Sequence, residues 1–191
     1  MATTKPGERK LQILQTLAVM LENPKAEKIT TAALAARLEV SEAALYRHFA
    51  SKAQMFEGLI EFIESSVFGL INQISQHEEN GLLQARTIVF MLLDFAEQNP
   101  GMTKVLIGDA LVNEDERLQQ RMNQFVERVE LALRQALKLS ASQQRMSDIH
   151  VAALAAVLVS FVLGRWHRFA KTGFRQRPSD DAFAQVAILL D

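Results

Sequence analysis

Tyr46, Arg47, His48 and Lys52 fall within one short run and each carries a polar head able to reach a phosphate. Just ahead of them, Thr30, Thr31 and Ser41 stand where helices are expected to begin. A hydroxyl at a helix start either caps a free N–H or joins that helix end in holding an anion. Arg, Lys and Tyr are the usual donors to a nucleic-acid backbone. The chemistry open to this set is therefore phosphate and base-edge recognition. Bond-making chemistry finds no comparable set. His48, His77, His150 and His167 lie on separate segments, without the spacing of H-E-x-x-H. The acidic groups Glu78-Glu79 and Glu114-Asp115-Glu116 fall next to expected helix ends, where they complement the helix dipole. No G-x-S-x-G, phosphate-binding Walker loop or dinucleotide fingerprint occurs. The sequence predicts no enzyme, no metal and no cofactor.

The elements that must position these residues are two short helices within Thr30–Phe49, TTAALAARLEVSEAALYRHF. Leu34 and Leu38 repeat at i, i+4 with Ala35 beside them, giving the first helix one apolar stripe. Val40 is expected to be buried in the turn, and Ser41 to cap the second helix from Glu42. Ala44, Leu45 and Phe49 then point inward; Glu42, Ala43, Tyr46, Arg47 and His48 are left outside. Helices of about two turns are marginal alone. An ordinary buried hairpin would accommodate them, but a major groove gives them a reason to stay short, because it admits one helix whose first turns meet base edges.

The run VSEAALYRHFASK, Val40 to Lys52, resembles the DNA-binding signature of the TetR family, with the Ser cap, Leu-Tyr-Arg-His-Phe and Ser-Lys at family spacing. The resemblance implies an all-α fold of about nine helices. A three-helix helix-turn-helix head (residues 1–52, motif 30–49) would precede a helical dimerisation and partner-binding body (residues 53–191). It also implies a homodimer reading a palindromic double-stranded site, one motif per successive major groove. Thr30, Thr31, Tyr46, Arg47 and Lys52 would bond phosphate, while Glu42, Ala43 and Ala44 would lie nearest the bases.

Composition agrees with such a chain. Of 191 residues, 49% are hydrophobic, with 8 Gly and 4 Pro, which leaves ample core material and few loops. The absence of cysteine excludes a disulfide scaffold and a thiolate metal site, and suits the cytoplasm. No apolar leader is visible in MATTKPGERK. The longest apolar run, Val151 to Leu163, is shorter than the ~20 residues a membrane span needs, so no membrane is expected. The net charge of −1 is uneven: residues 1–52 hold eight Lys/Arg against five Asp/Glu, the remainder thirteen against seventeen. A basic head on an acidic body suits nucleic acid at one end and protein contacts at the other.

In chain order, Met1 to Gly7 reads as a polar arm, and Lys5, Arg9 and Lys10 are placed to touch phosphate or a minor groove. A helix from about Glu8 to Glu22 carries the stripe Leu11, Leu14, Leu17, Ala18 and Leu21, stopped by Asn23-Pro24. Ser51 to Gln54 is a capping box opening a helix to about Gln76. Its stripe is Met55, Leu59, Phe62 or Ile63, Val67, Leu70 or Ile71, and Ile74. Gly81 to about Gln98 follows, with Leu82, Leu83, Ile88, Leu92, Leu93 and Phe95 apolar, and Asn99-Pro100-Gly101 ends it. A short helix runs to Leu111 and a long one from about Asp115 to Leu139, before a polar loop at 140–147. The helix from Asp148 to about Lys171 is apolar nearly all round, so a second subunit should cover it. With the last helix, Asp180 to Leu190, it forms the expected dimer face.

A closer resemblance covers nearly the whole chain. LIEFIE (59–64), NPG (99–101), DERLQQRMNQF (115–125) and RFAKTGFRQRPSDD (168–181) are similar to a branch of the TetR family that acts in nucleoid occlusion. That resemblance implies inhibition of the division GTPase FtsZ by protein bound at chromosomal sites, in the cytoplasm on the nucleoid. The partner surface it implies comprises Phe62, Met91 and Asn99, in a groove between the fourth and fifth helices. Basic residues are common in that branch at the positions of Leu70 and Gln98. Both are neutral here, which removes a charge-assisted part of the contact. The alternative is a ligand-responsive repressor, which needs an enclosed, mostly apolar cavity in the body.

Overall fold

The computed structural model describes residues 6–23, 29–144 and 148–190. Lys5, Pro24 and most of the expected N-terminal arm lie outside them. Among the described residues the chain forms nine α-helices and one 3₁₀ turn, with no strand. The helices are α1 (Pro6–Leu21), α2 (Thr31–Arg37), α3 (Glu42–Tyr46), α4 (Lys52–His77), α5 (Gly81–Gln98), α6 (Pro100–Leu106), α7 (Glu116–Gln144), α8 (Asp148–Lys171) and α9 (Ala182–Leu190); the 3₁₀ turn is Asp109–Leu111.

Local chemistry explains most boundaries. Thr30 caps α2 and Ser41 caps α3 through hydroxyls that accept from Ala33 N (3.1 Å) and Ala44 N (3.2 Å). At α4, Ser51 Oγ accepts from Gln54 N at 3.1 Å, and Gln54 Oε1 reaches back to Ala50 N at 2.8 Å, one residue earlier than a standard capping box requires. Pro100 opens α6, where its missing N–H costs nothing. Asp115 opens α7: it accepts from Arg117 N at 3.0 Å and from the Arg117 guanidinium at 2.7 and 3.1 Å.

These bonds from Arg117, side chain first and backbone second, hold the Asp115 carboxyl down at about 2. A depressed carboxylate contributes stability above its ordinary range and loses it as pH falls through the folded value. Carbon-detected NMR titration should therefore place its midpoint near 2, and Arg117→Ala should return it toward the ordinary carboxylate range. A wild-type midpoint near 4 would remove the cap.

The register differs from the sequence reading in α1, and in α4 the structure decides between the alternatives that reading left. In α1 the buried residues are Ile13, Leu17, Ala18 and Leu21; Leu14 is half-buried and Leu11 exposed. Ile13 enters the core in place of Leu11, which lies in an open groove beside Phe62 of α4 and Met102 of α6. In α4 the core takes Phe56, Ile60, Ile63, Val67 and Ile71 beside Met55 and Leu59, leaving Phe62 and Leu70 outside at 40% and 39% exposure. Val40 is half-buried in the turn, not buried. On α5, Leu83 is exposed while Ala85, Val89 and Ala96 are buried.

The expected loop from residue 140 is instead the last turn of α7, which runs to Gln144. Ser140 and Ala141 are buried, and Gly81, at the start of α5, meets the backbone of Ala136, Leu139 and Ser140. A β-carbon on Gly81 would lie 2.2 Å from Ser140 N and 2.4 Å from Ala136 O, so only glycine allows this crossing. Small facing residues let the backbones touch and the helix continue.

The body core lies where α5, α7 and α8 pack. Trp166 sits inside it and donates its indole N–H to the Leu92 carbonyl at 3.0 Å. Between α7 and α8, Phe125, Val129, Val159, Val162 and Trp166 leave only about 10 Å³ of free space, room for no more than about one water. Residues 150–171 of α8 are long and apolar enough by length and composition to cross a membrane. In this fold one face is core: Val151, Ala155, Leu158, Val162 and Trp166 are buried. Val157 stays exposed on α8, and Phe183 and Ile188 on α9 are 71% and 82% exposed. Apolar side chains this open call for a covering surface.

Candidate nucleic-acid interface and partner groove

Leu45 and Phe49 are buried and anchor α3 to the head, which leaves Glu42, Ala43, Tyr46 and Arg47 exposed, with Ala44 and His48 half-buried. Helix α3 is held across to α2 by a short polar chain. Thr31 Oγ1 donates to Glu42 Oε2 at 2.6 Å, and Tyr46 Oη donates to Thr31 Oγ1 at 3.5 Å. Glu42 thus braces α3 against the start of α2, and its carboxylate is aimed at Thr31. Both expected phosphate-binding threonines have their hydroxyls in use within the protein, Thr30 as a cap and Thr31 on Glu42. Arg47 follows α3 directly and is exposed.

The expected arm residues Arg9 and Lys10 are in α1. Arg9 donates to Gln12 Oε1 at 2.6 Å, and Lys10 lies over the Phe49 ring at 5.6 Å. Both are helix-surface cations in this arrangement. Lys52 departs furthest from expectation: its ammonium is 2.5 Å from Glu114 Oε1, on the segment that leads into α7. A carboxylate within reach satisfies a half-buried ammonium that would otherwise be desolvated without a partner. Sequence gives no signal for this pair, because the partners are 62 positions apart.

Of the three expected partner residues, the structure brings two together. Phe62 and Asn99 line one groove of about 380 Å³, with Leu11, Leu14 and Val19 of α1 and Met102 of α6 completing its walls. Asn99 donates its side-chain N–H to Phe95 O at 2.8 Å, which fixes its carbonyl end. Met91 is half-buried against the core and is not part of this groove. This groove runs between α1, α4 and α6. The reason is Gly101, which lets α6 lie on α1 and makes the head's first helix a groove wall. A larger cleft of about 480 Å³ lies between head and body, lined by Ile29, Lys52, Phe56, Lys104, Asp109 and Glu114 among others. Burial holds the Lys104 ammonium below its ordinary value; Asp109 opposes that shift and Lys171 adds to it.

Comparison with known proteins fits this geometry. Residues 26–59 match the model of bacterial regulatory proteins of the tetR family, and residues 79–191 match the tetracyclin repressor-like C-terminal domain. In fold, the chain is similar to a TetR transcription regulator from Haloarcula marismortui, with a TM-score of 0.81 at 14% identity over 97% of each chain. It is also similar to FadR from Bacillus subtilis, solved with stearoyl-CoA, with a TM-score of 0.77 at 10% identity over 95% of this chain and 97% of that one. In sequence, it is 46% identical to the nucleoid occlusion factor SlmA of Colwellia psychrerythraea over 97% of this chain and 94% of that one. Against SlmA of Aliivibrio fischeri strain MJ11, identity is 47% over 99% and 97% of the two chains. The chain belongs to the SlmA nucleoid occlusion factors, within the TetR family of DNA-binding regulators.

Proposed function

We propose that this protein binds palindromic chromosomal sites as a homodimer and, while bound, inhibits FtsZ assembly, so that division is blocked over the nucleoid in the cytoplasm. The observation that carries this reading is an open apolar groove at the head–body boundary, beside body helices α7 and α8 that leave almost no space between them. A ligand-gated repressor needs the opposite, an enclosed cavity in the body. An open groove with an aromatic side chain on its wall suits a short apolar peptide segment.

Residues 1–52 act as the head and 53–191 as the body, with α1 packed on both α4 and α6. The α3 face, with Ala43, Tyr46 and Arg47, enters the major groove, while Thr30, Thr31, Ser41, Glu42 and Ala44 set its position. Exposed Val157, Phe183 and Ile188 belong to the α8–α9 dimer face. Phe62 and Asn99 contact FtsZ in the groove, and Met91 supports the neighbouring surface.

Light scattering of FtsZ assembly, with this protein and with or without a duplex selected for binding to it, tests the reading. DNA-dependent loss of polymer is the expected result. Unchanged polymer, with DNA binding intact, would reject the occlusion role and leave a repressor.

A further inference from the structure

Lys52 stands at the first position of α4, next to the Ser51 cap and three residues beyond Phe49. Its ammonium lies 2.5 Å from Glu114 Oε1 and 5.6 Å from the centre of the Phe56 ring. The lysine side chain is 21% exposed and the glutamate only 10%, so the acid is the more enclosed partner. Glu114 belongs to the body, between the 3₁₀ turn and α7, and its place there is held by backbone. Its N–H donates to Leu111 O at 3.0 Å, and Asn113 before it takes a left-handed φ of 63°. Asp115 after it is the α7 cap. The other cations of this cleft have partners of their own. Lys171 holds Asp109 at 2.6 and 2.8 Å, and Lys104 donates to Asn23 O at 2.9 Å.

A carboxylate and a phosphate oxygen compete for the same three N–H donors of an ammonium. An ammonium closed onto Glu114 is not available to a duplex lying against α3, although its chain position puts it beside the motif. We propose that Glu114 sets DNA affinity by standing in for a phosphate: it holds Lys52 against the body until a duplex draws the lysine away. The inference rests on the reading of residues 30–52 as the DNA-binding module. In each subunit, binding then exchanges one intramolecular ion pair for one phosphate contact. It also leaves Glu114 without its partner at the loop that leads into α7, so DNA occupancy is felt in the body at that loop.

The test is a double-mutant cycle with E114Q, K52Q and the double variant. Binding is read by fluorescence anisotropy on a selected duplex and on an unrelated one, over a series of salt concentrations. E114Q preserves shape and removes the competing charge. It should raise affinity for both duplexes by about three- to tenfold, the scale of one added lysine–phosphate contact. K52Q should abolish that gain. E114D, which keeps the charge on a shorter stem, should gain less than E114Q.

An equal gain from E114Q with and without Lys52 would overturn the proposal, because it would report only the removal of an acid from the protein's field. No gain at all would overturn it too, as would K52Q leaving affinity and salt dependence unchanged in both backgrounds. Failure of the wild-type protein to bind either duplex would instead remove the DNA-binding reading itself, and the wild-type curve alone reports it.

Discussion

Replacing Gly101 with alanine will lower the melting temperature by about 6–12 °C, from a destabilisation of about 3 kcal/mol at the upper end of ordinary overpacking. A β-carbon at this position would lie 1.9 Å from Ala18 O and 2.9 Å from Ala18 C, with Glu22 Cγ at 3.3 Å. The two nearest atoms are backbone, so no rotamer change relieves the clash; α1 and α6 must separate. The separation moves the head, because α1 also packs on α2 and α4. It also shifts a wall of the Phe62 groove, which Gly101 itself lines. DNA affinity should fall together with melting temperature. Gly69 supplies the control: it is exposed in α4, and a β-carbon there would have nothing within 4 Å, so Gly69→Ala should hold or raise stability by up to about 1 kcal/mol. Differential scanning calorimetry of both variants decides the matter. A Gly101→Ala protein melting within a degree of wild type would mean that α1 and α6 do not approach this closely.

What the sequence could convey depended on how local the cause was. Thr30, Ser41 and Ser51 are caps because their hydroxyls meet N–H groups three residues ahead, a relation contained in a four-residue window. Helical periodicity narrowed α4 to Phe62 or Ile63 and to Leu70 or Ile71, since neighbours on a helix differ by 100° and both border the stripe. Packing chose Ile63 and Ile71, and left the aromatic outside. The α1 stripe is decided by contacts no window contains: Ala18 meets Gly101, some 80 positions away, and Leu11 and Leu14 face the groove that holds Phe62. The end of α7 was misplaced for a similar reason. Ser140 and Ala141 look like loop residues by polarity and size, yet both are buried in α7, where Gly81 of α5 rests on the backbone at Ser140.

The same division runs through the candidate sites. The α3 face was legible because Leu45 and Phe49 mark its inner side, which leaves Tyr46 and Arg47 outside. The reach of Lys52 was not, because its counterion comes from the loop before α7. Nor was the groove wall. The resemblance pointed to Phe62 and Asn99 as a partner surface, but only the α1–α6 contact turns their surroundings into a concave one. Local chemistry thus specified the pieces of the recognition head, and long-range glycine contacts specified how the head sits on the body.

That placement gives Phe62 the largest functional effect expected of any single side chain in the body. Phe62→Ala should abolish DNA-dependent inhibition of FtsZ assembly at protein concentrations where wild type acts fully, while DNA affinity and melting temperature stay close to wild type. Phe62 is 40% exposed, so its removal opens no enclosed cavity and costs the fold little. In the groove it is an aromatic surrounded by Leu11, Leu14, Val19, Leu59 and Met102, the setting in which one side chain carries much of an interface's affinity. A loss of about 2 kcal/mol there is a factor of about 30 in binding. Ile63, one residue on, is fully buried and supplies the contrast. Ile63→Ala should cost about 2–5 kcal/mol of stability and impair every activity in proportion to unfolding. Sedimentation of FtsZ polymer beside a melting curve separates the two outcomes. If Phe62→Ala inhibits FtsZ like wild type, the groove between α1, α4 and α6 is not the contact. The surface around Leu70 of α4 and Met91 of α5 would then be the place to look, since neither residue lines that groove.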